Sequence, residues 1–290
     1  MRKRKLTPLL LLLPFLAVMA LLLVSVGNIL AQSLGYIPAF GLTGPTLDYY
    51  GALFREETFR DSLWVSLRIA LLSAVFATVL GVAVCAALVQ TGRTRGGMLY
   101  LIRVPILIPH AVAAVFVIQI ASQTGLLARL ACALGLLSDP AEFPQLLYTP
   151  GYGGAILAYL WKEIPFVAYF VLAFMAGISK TLGEAAENLG ASPLRSFFQI
   201  TLPLSLPAIA RAFFIIFLFA FGGYELPLLL GPTLPKALPV EAYQLYTSPD
   251  LLQRPSAMAM NGIILLFSAG MALLYGLVLN RLCRRLGVAA

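Results

Sequence analysis

Residues 69–92 read IALLSAVFATVLGVAVCAALVQTG, an uncharged run closed by Arg68 on one side and Arg93 on the other. About 20 apolar residues in a helix cross the hydrocarbon core of a bilayer, whereas a soluble surface helix of that length keeps a polar face. This run has no such face, so it predicts a membrane-crossing helix, begun near Ser62. The pattern recurs along the chain. Residues 9–31 are densely aliphatic, and Gly35, Pro38, Gly41, Gly44 and Pro45 then break the apolar sequence into a loop. Residues 104–128, entered from Met98 with Arg103 near the start, predict a third span. Residues 153–178, interrupted by Lys162 and Glu163, predict a fourth. Residues 207–231, with Arg211 near one end and Glu225 inside, and residues 255–280 complete six.

Composition agrees with a chain that lives in the bilayer. Hydrophobic residues make up 60% of the 290 and charged residues 11%, too few charges to dress a water-facing surface. The mean hydropathy is +0.92. The net charge of +8 does not read as a nucleic-acid patch, because the basic residues sit at the ends of apolar runs. Cys85, Cys132 and Cys283 are odd in number and far apart, which builds neither a disulfide framework nor a zinc site.

Lysine and arginine bias sets the orientation. With six spans and the N-terminus inside, the cytoplasmic ends hold Arg2, Lys3, Arg4, Lys5, Arg93, Arg95, Lys180, Arg195, Arg211, Arg281, Arg284 and Arg285, twelve of the 20 basic residues. The outer loops hold only Arg55, Arg60, Arg129, Lys236 and Arg254. Arg68 and Arg103, near span ends, are expected to snorkel. Acids fall mainly outside, Glu184 and Glu187 being the inside exceptions. The first span follows a basic cluster as a signal peptide does, but it outlasts an h-region of about 7–15 residues, so an uncleaved anchor is expected.

One cytoplasmic connection, 179–206, reads SKTLGEAAENLGASPLRSFFQITLPLSL. Residues 184–189 are good helix formers stopped by Gly190, the residue that most easily takes a left-handed cap. Ser192 and Pro193 then fit the N-cap and first position of a second helix, 194–200, ending before Pro203. The result is a two-helix knuckle with an apolar face of Leu189, Leu194, Phe197 and Phe198, the kind of surface a partner protein covers.

The spacing Glu184-Ala185-Ala186, Gly190, Ile200 and Leu202-Pro203 resembles the EAA signature of the inner-membrane permeases of binding-protein-dependent ABC importers. The resemblance covers residues 60–285. It implies an all-α, polytopic membrane bundle of six transmembrane helices, N-in and C-in, with a cytoplasmic two-helix coupling loop. In these terms residues 1–59 are an N-terminal tail, first span and outer loop, 60–285 the permease core, and 286–290 a tail. It also implies that Glu184, Ala185, Ala186, Gly190, Ile200, Leu202 and Pro203 seat the loop on cytoplasmic ABC ATPase subunits. A second, related but non-identical permease subunit and an extracytoplasmic solute-binding protein complete the implied assembly, in the inner membrane and with no nucleic acid.

The chain carries no G-x-x-x-x-G-K-[ST] phosphate loop, no H-E-x-x-H metal motif and no G-x-S-x-G elbow. No catalytic residue, metal or cofactor is therefore expected, and ATP hydrolysis is assigned to a partner. Ionisable groups inside spans are costly and point to function or to interior pairing. Lys162-Glu163-Ile164-Pro165 and Phe221-Gly222-Gly223-Tyr224-Glu225-Leu226-Pro227 interrupt spans four and five, the latter with enough glycine and proline to break the helix. Glu163, Tyr224 and Glu225 are accordingly candidates for the border of a translocation path; structural pairing of both acids is the competing reading. His110 follows Pro105 and Pro109 in a kinked third span and reads as a hydrogen-bonded packing residue.

Two acids beside a path favour a cation. Residues 222–246, GGYELPLLLGPTLPKALPVEAYQLY, resemble the spermidine/putrescine, ferric-iron and sulfate group of permeases, which leans the substrate toward polyamine-type or other small organic ions. A secondary transporter driven by an ion gradient through Glu163 and Glu225 is the alternative. It predicts paired repeats, and 60–150 does not repeat in 150–280. A membrane-embedded enzyme has no catalytic constellation in its favour.

Overall fold

The computed structural model describes residues 7–94 and 96–286. Arg2, Lys3, Arg4, Lys5 and Arg95, which contribute to the inside basic bias, and residues 287–290 of the expected tail lie outside the described residues. Helices dominate, and among the described residues the one β-type pairing is the isolated bridge Ile37–Leu42. Among the described residues six helical stretches are long and apolar enough to cross a membrane. The protein is an all-α, multi-pass membrane bundle.

In chain order the α-helices are α1 (Thr7–Ser33), α2 (Asp48–Arg55), α3 (Glu57–Gln90), α4 (Gly97–Leu107), α5 (His110–Ala121), α6 (Leu126–Ala133), α7 (Gly153–Ile178), α8 (Glu184–Asn188), α9 (Pro193–Ser196), α10 (Leu202–Phe221), α11 (Glu225–Leu230), α12 (Leu238–Tyr246) and α13 (Arg254–Leu286). Contacts divide the chain into two units: the described parts of Met1–Phe59 with Glu241–Leu266, and those of Arg60–Val240 with Phe267–Ala290.

In the first unit α1 buries none of its most apolar window, the behaviour of a helix whose solvent is lipid. At its C-terminal end the Tyr50 hydroxyl bonds the Ser33 hydroxyl at 2.8 Å, and Ser33 donates onward to the Leu30 carbonyl at 2.8 Å. Gly262 of α13 packs here, where an added Cβ would come within 3.3 Å of Ser33 Cβ. The Arg254 guanidinium lies over the rings of Tyr246 (5.1 Å) and Phe40 (5.6 Å).

In the second unit α7 is the central post, packed against α4, α5, α10 and α11. Its buried face (Ala158, Val167, Ala168, Val171 and Met175) is spaced for a single helical stripe. Gly81 of α3 meets it closely: a Cβ there would stand 2.8 Å from the Ile164 carbonyl oxygen. Along α10, Phe213, Phe217 and Phe221 stack at successive i+4 positions, and Phe267 of α13 closes on Phe221 with ring centroids 4.3 Å apart.

Several boundaries differ from the sequence expectation. The second span starts at Glu57 rather than near Ser62, because an uncharged window finds only the lipid-facing part of a helix. Its 34 residues reach about 51 Å at 1.5 Å per residue, well beyond a hydrocarbon core of about 30 Å. Phe59, Ser62, Val65, Ser66 and Ile69 form the buried stripe that carries it past the charged residues. The third span is broken, not kinked: Ile108 and Pro109 are extended (ψ 131° and 149°) between α4 and α5. The fifth is interrupted at 222–224, as its glycines predict. α2 and α12 are short helices outside the six apolar stretches, whereas α6 completes the third, which runs His110–Ala133 rather than ending at 128.

Candidate functional site

The cytoplasmic connection folds around Gly190. α7 runs through a π turn (Ser179–Gly183) into α8, and α9 runs through a second π turn (Phe197–Thr201) into α10, so both arms of the knuckle continue the spans. The second arm was expected to stop before Pro203. It continues instead, because Pro203 falls in the first turn after a π turn, where the regular bonding ladder is already interrupted. α8 ends in a Schellman cap: Ala191 N–H bonds the Ala186 carbonyl at 3.0 Å, and Gly190 N–H bonds that of Glu187 at 2.9 Å. Gly190 sits at φ +95°, a conformation a side chain resists. Ser192 caps α9, its hydroxyl accepting from Arg195 N–H at 3.3 Å.

The arms are tied where they cross. Ser196 Oγ donates to the Gly183 carbonyl at 3.2 Å in a buried contact, and a Cβ on Gly183 would crowd Ser196 Oγ at 3.2 Å. Glu184 and Ala185 are exposed, and Ala186, Ile200, Leu202 and Pro203 are half-buried. Of the expected apolar face, Leu189 is 91% exposed, with Leu194 and Phe198 each at 61%. Phe197 does not belong to it: it is buried, edge-on to Phe198.

Within the membrane the ionisable groups of three spans converge. Lys162 of α7 lies within electrostatic reach of its neighbour Glu163 and of Glu225 at the start of α11, His110 at the start of α5 lies within reach of Lys162 and Glu225, and Tyr159 lies within reach of both acids. A cavity of about 430 Å3 opens here, lined by His110, Tyr159, Phe219, Gly223, Tyr224 and Glu225 together with neighbouring α10 and α11 residues. That volume lies within the usual range for small-molecule sites, about 300–1,000 Å3. Glu225 is exposed and is the acid that lines it; Glu163 is buried and stands behind. Gly223 leaves room for the Tyr159 hydroxyl, which any Cβ would strike.

Two arginines and the histidine depart from expectation. Arg103 does not simply snorkel but lies over the rings of Tyr169 (4.4 Å) and Tyr100 (5.6 Å), on the wall of a cytoplasmic cleft of about 1140 Å3 that also takes in Lys180 and Glu184. Arg68 donates across to the Pro150 carbonyl. The His110 Nε2 is buried without a hydrogen-bond partner, its ring 5.1 Å from Phe219. Near the far end of α7, Tyr152 donates to the Pro235 carbonyl at 2.8 Å, and burial pushes its phenol up to about 12, so it stays a donor.

A family model, binding-protein-dependent transport system inner membrane component, matches residues 77–286. The chain belongs to this family. It is 30% identical over 171 residues to the putrescine transport system permease protein PotI of Escherichia coli (strain K12), covering 58% of this chain and 55% of that one. It is 32% identical over 211 residues to the sn-glycerol-3-phosphate transport system permease protein UgpA of Escherichia coli O157:H7, covering 67% and 68%. Its fold is that of a bacterial ABC transporter involved in the import of the acidic polysaccharide alginate (TM-score 0.75, 22% identity, 98% and 96% covered). The MetNI methionine ABC transporter shares it less closely (TM-score 0.55, 18% identity, 76% and 94% covered). The chain is thus a multi-pass inner-membrane component of the binding-protein-dependent class.

From sequence His110 reads as a packing residue, Tyr159 is open between packing and the path, and Gly183 and Ser196 receive no role. His110 and Tyr159 carry no local signal, because the cavity they line is assembled from three separate spans. Gly183 immediately precedes the EAA pattern, and only the crossing of the two arms gives it a purpose.

Proposed function

We propose that this chain is the permease subunit of an ATP-driven ABC importer. Its core, 60–285, forms the translocation pathway for a small solute handed over by an extracytoplasmic binding protein. Family membership carries this reading. The alginate transporter solved in complex with a pentasaccharide-bound periplasmic protein supports the binding-protein partner. Glu184, Ala185, Ala186, Gly190, Ile200, Leu202 and Pro203 form the seat for a cytoplasmic ATPase subunit. A rigid turn with three exposed apolar side chains is suited to fill a partner's cleft. A second, related permease completes the pore.

The solute is a small organic cation of the polyamine type. Tyr224 and Glu225 border its path, and Glu163 lies behind them. The carrying observation is that Glu225 is the charged residue on the cavity wall beside neutral aromatic side chains, a combination that attracts an ammonium group. The kinship with glycerol-3-phosphate permeases favours an anion instead, and one experiment separates the two. Proteoliposomes holding the assembled importer are given ATP and either labelled putrescine or labelled sn-glycerol-3-phosphate. Putrescine uptake that requires ATP and falls in Glu225→Gln supports the reading; uptake of the phosphate ester alone overturns the cation assignment. Uptake by this chain without any ATPase subunit overturns the importer reading itself.

A further inference from the structure

The break in the third span leaves backbone carbonyls without helical partners, those of Pro105 and Ile108 among them. In a continuous helix the N–H of residue 109 would bond the carbonyl of Pro105, but Pro109 has no N–H to give. The new helix begins its bonding with Ala113 N–H to the Pro109 carbonyl at 3.0 Å, which leaves the Ile108 carbonyl ahead of the ladder. Both acceptors lie at the junction of two apolar helices, and in an apolar, water-poor setting an unsatisfied backbone group costs several kcal/mol. Among the described residues one side chain bonds both. Lys162, 5% exposed on α7, directs its Nζ to the Pro105 carbonyl at 3.3 Å and also bonds the Ile108 carbonyl.

We propose that Lys162 is the positioning residue that holds the third span in its broken form, and so keeps His110 aimed into the cavity. The ammonium sits at the C-terminal, electronegative end of α4, where a cation is favoured. It takes the place that an ordered water or a free cation would otherwise fill. His110 is the first residue after the break, so the angle between α4 and α5 sets where its ring lies. The functional consequence rests on the reading of the cavity as the path; the structural claim does not.

The test uses the assembled importer with spin labels at Leu101 on α4 and Val115 on α5, both exposed. In Lys162→Met the interspin distance distribution shifts or broadens, and uptake falls roughly tenfold, the scale of one lost charge-assisted hydrogen bond. Lys162→Arg, whose donors still reach the carbonyls, keeps most of both. An unchanged distribution in Lys162→Met overturns the proposal. A changed distribution with normal uptake upholds the latch and overturns the cavity as path. Should Lys162→Met fail to insert, the same claim is read from thermal midpoints in a Pro109→Ala background. There residue 109 regains an N–H for the Pro105 carbonyl, and Lys162→Ala should cost clearly less than in the parent; equal loss in both backgrounds sinks the idea.

Discussion

The cytoplasmic turn and the cavity share spans four and five, the cavity adding span three, and are built on opposite rules. Around Gly190 the exposed backbone ends are closed: a Schellman cap ends α8, Ser192 caps α9, and Ser196 ties the crossing to Gly183. Around the cavity polar groups are left open: Glu225 is exposed and the His110 Nε2 has no hydrogen-bond partner. A turn with its hydrogen bonds satisfied internally resists deformation and can transmit a push. A wall with an exposed acid can exchange partners with a passing solute. The contrast teaches where this molecule is stiff and where it is receptive.

That contrast can be broken at its stiff end first. Gly190→Trp places a bulky side chain on a φ of +95°, beside the exposed Leu189 and Leu194. Left-handed backbone costs a side-chain-bearing residue about 1–2 kcal/mol, and the added bulk holds a partner off. Uptake should fall by two orders of magnitude or more (~100-fold, about 2.7 kcal/mol of lost coupling) while membrane insertion, measured by protease protection, is unchanged. Normal uptake would remove the turn from the coupling path.

At the receptive end, Glu225→Gln keeps shape and removes charge. Uptake of a cationic solute should drop roughly tenfold, about 1.4 kcal/mol, mostly through KM. An unaltered KM would assign Glu225 to packing. Gly223→Ala sharpens the same end, since the new methyl strikes the Tyr159 hydroxyl. A loss of about 1–3 kcal/mol from overpacking, seen in the unfolding midpoint, is expected with uptake impaired in step. The smallest effect belongs to Ser196→Ala. Losing one buried hydrogen bond between the arms costs about 1 kcal/mol, and uptake should fall only a few-fold if the turn then slackens. No change in either stability or uptake would mean that the arms are held by packing alone.

How much could be read in advance varied with the range of the interaction. Uncharged runs located the lipid-crossing segments, but not the start of α3, which extends past Arg60 and Asp61 because its Phe59–Ser62–Val65–Ile69 stripe is buried in protein. Gly222 and Gly223 announced a break in span five. Pro105 and Pro109 announced only a kink in span three, and the full break became legible with Lys162 in place to satisfy the carbonyls it frees. Phe197 looked like part of the exposed face because it is apolar and next to Phe198; adjacent helical residues point about 100° apart, and one of the two had to turn inward.

Residue order alone was enough for the class of environment, the number of crossings, the orientation and the turn at 184–203. Each of these depends on composition over a window or on local backbone preference, which neighbouring residues carry alone. Helix packing alone brings Lys162 to the third span, sets His110 and Tyr159 on one wall with Glu225, and requires Gly183 to be bare for Ser196 to reach it. Those pairings join residues 13 to 115 positions apart, and contacts at such separations are set by how the helices pack rather than by anything written beside them.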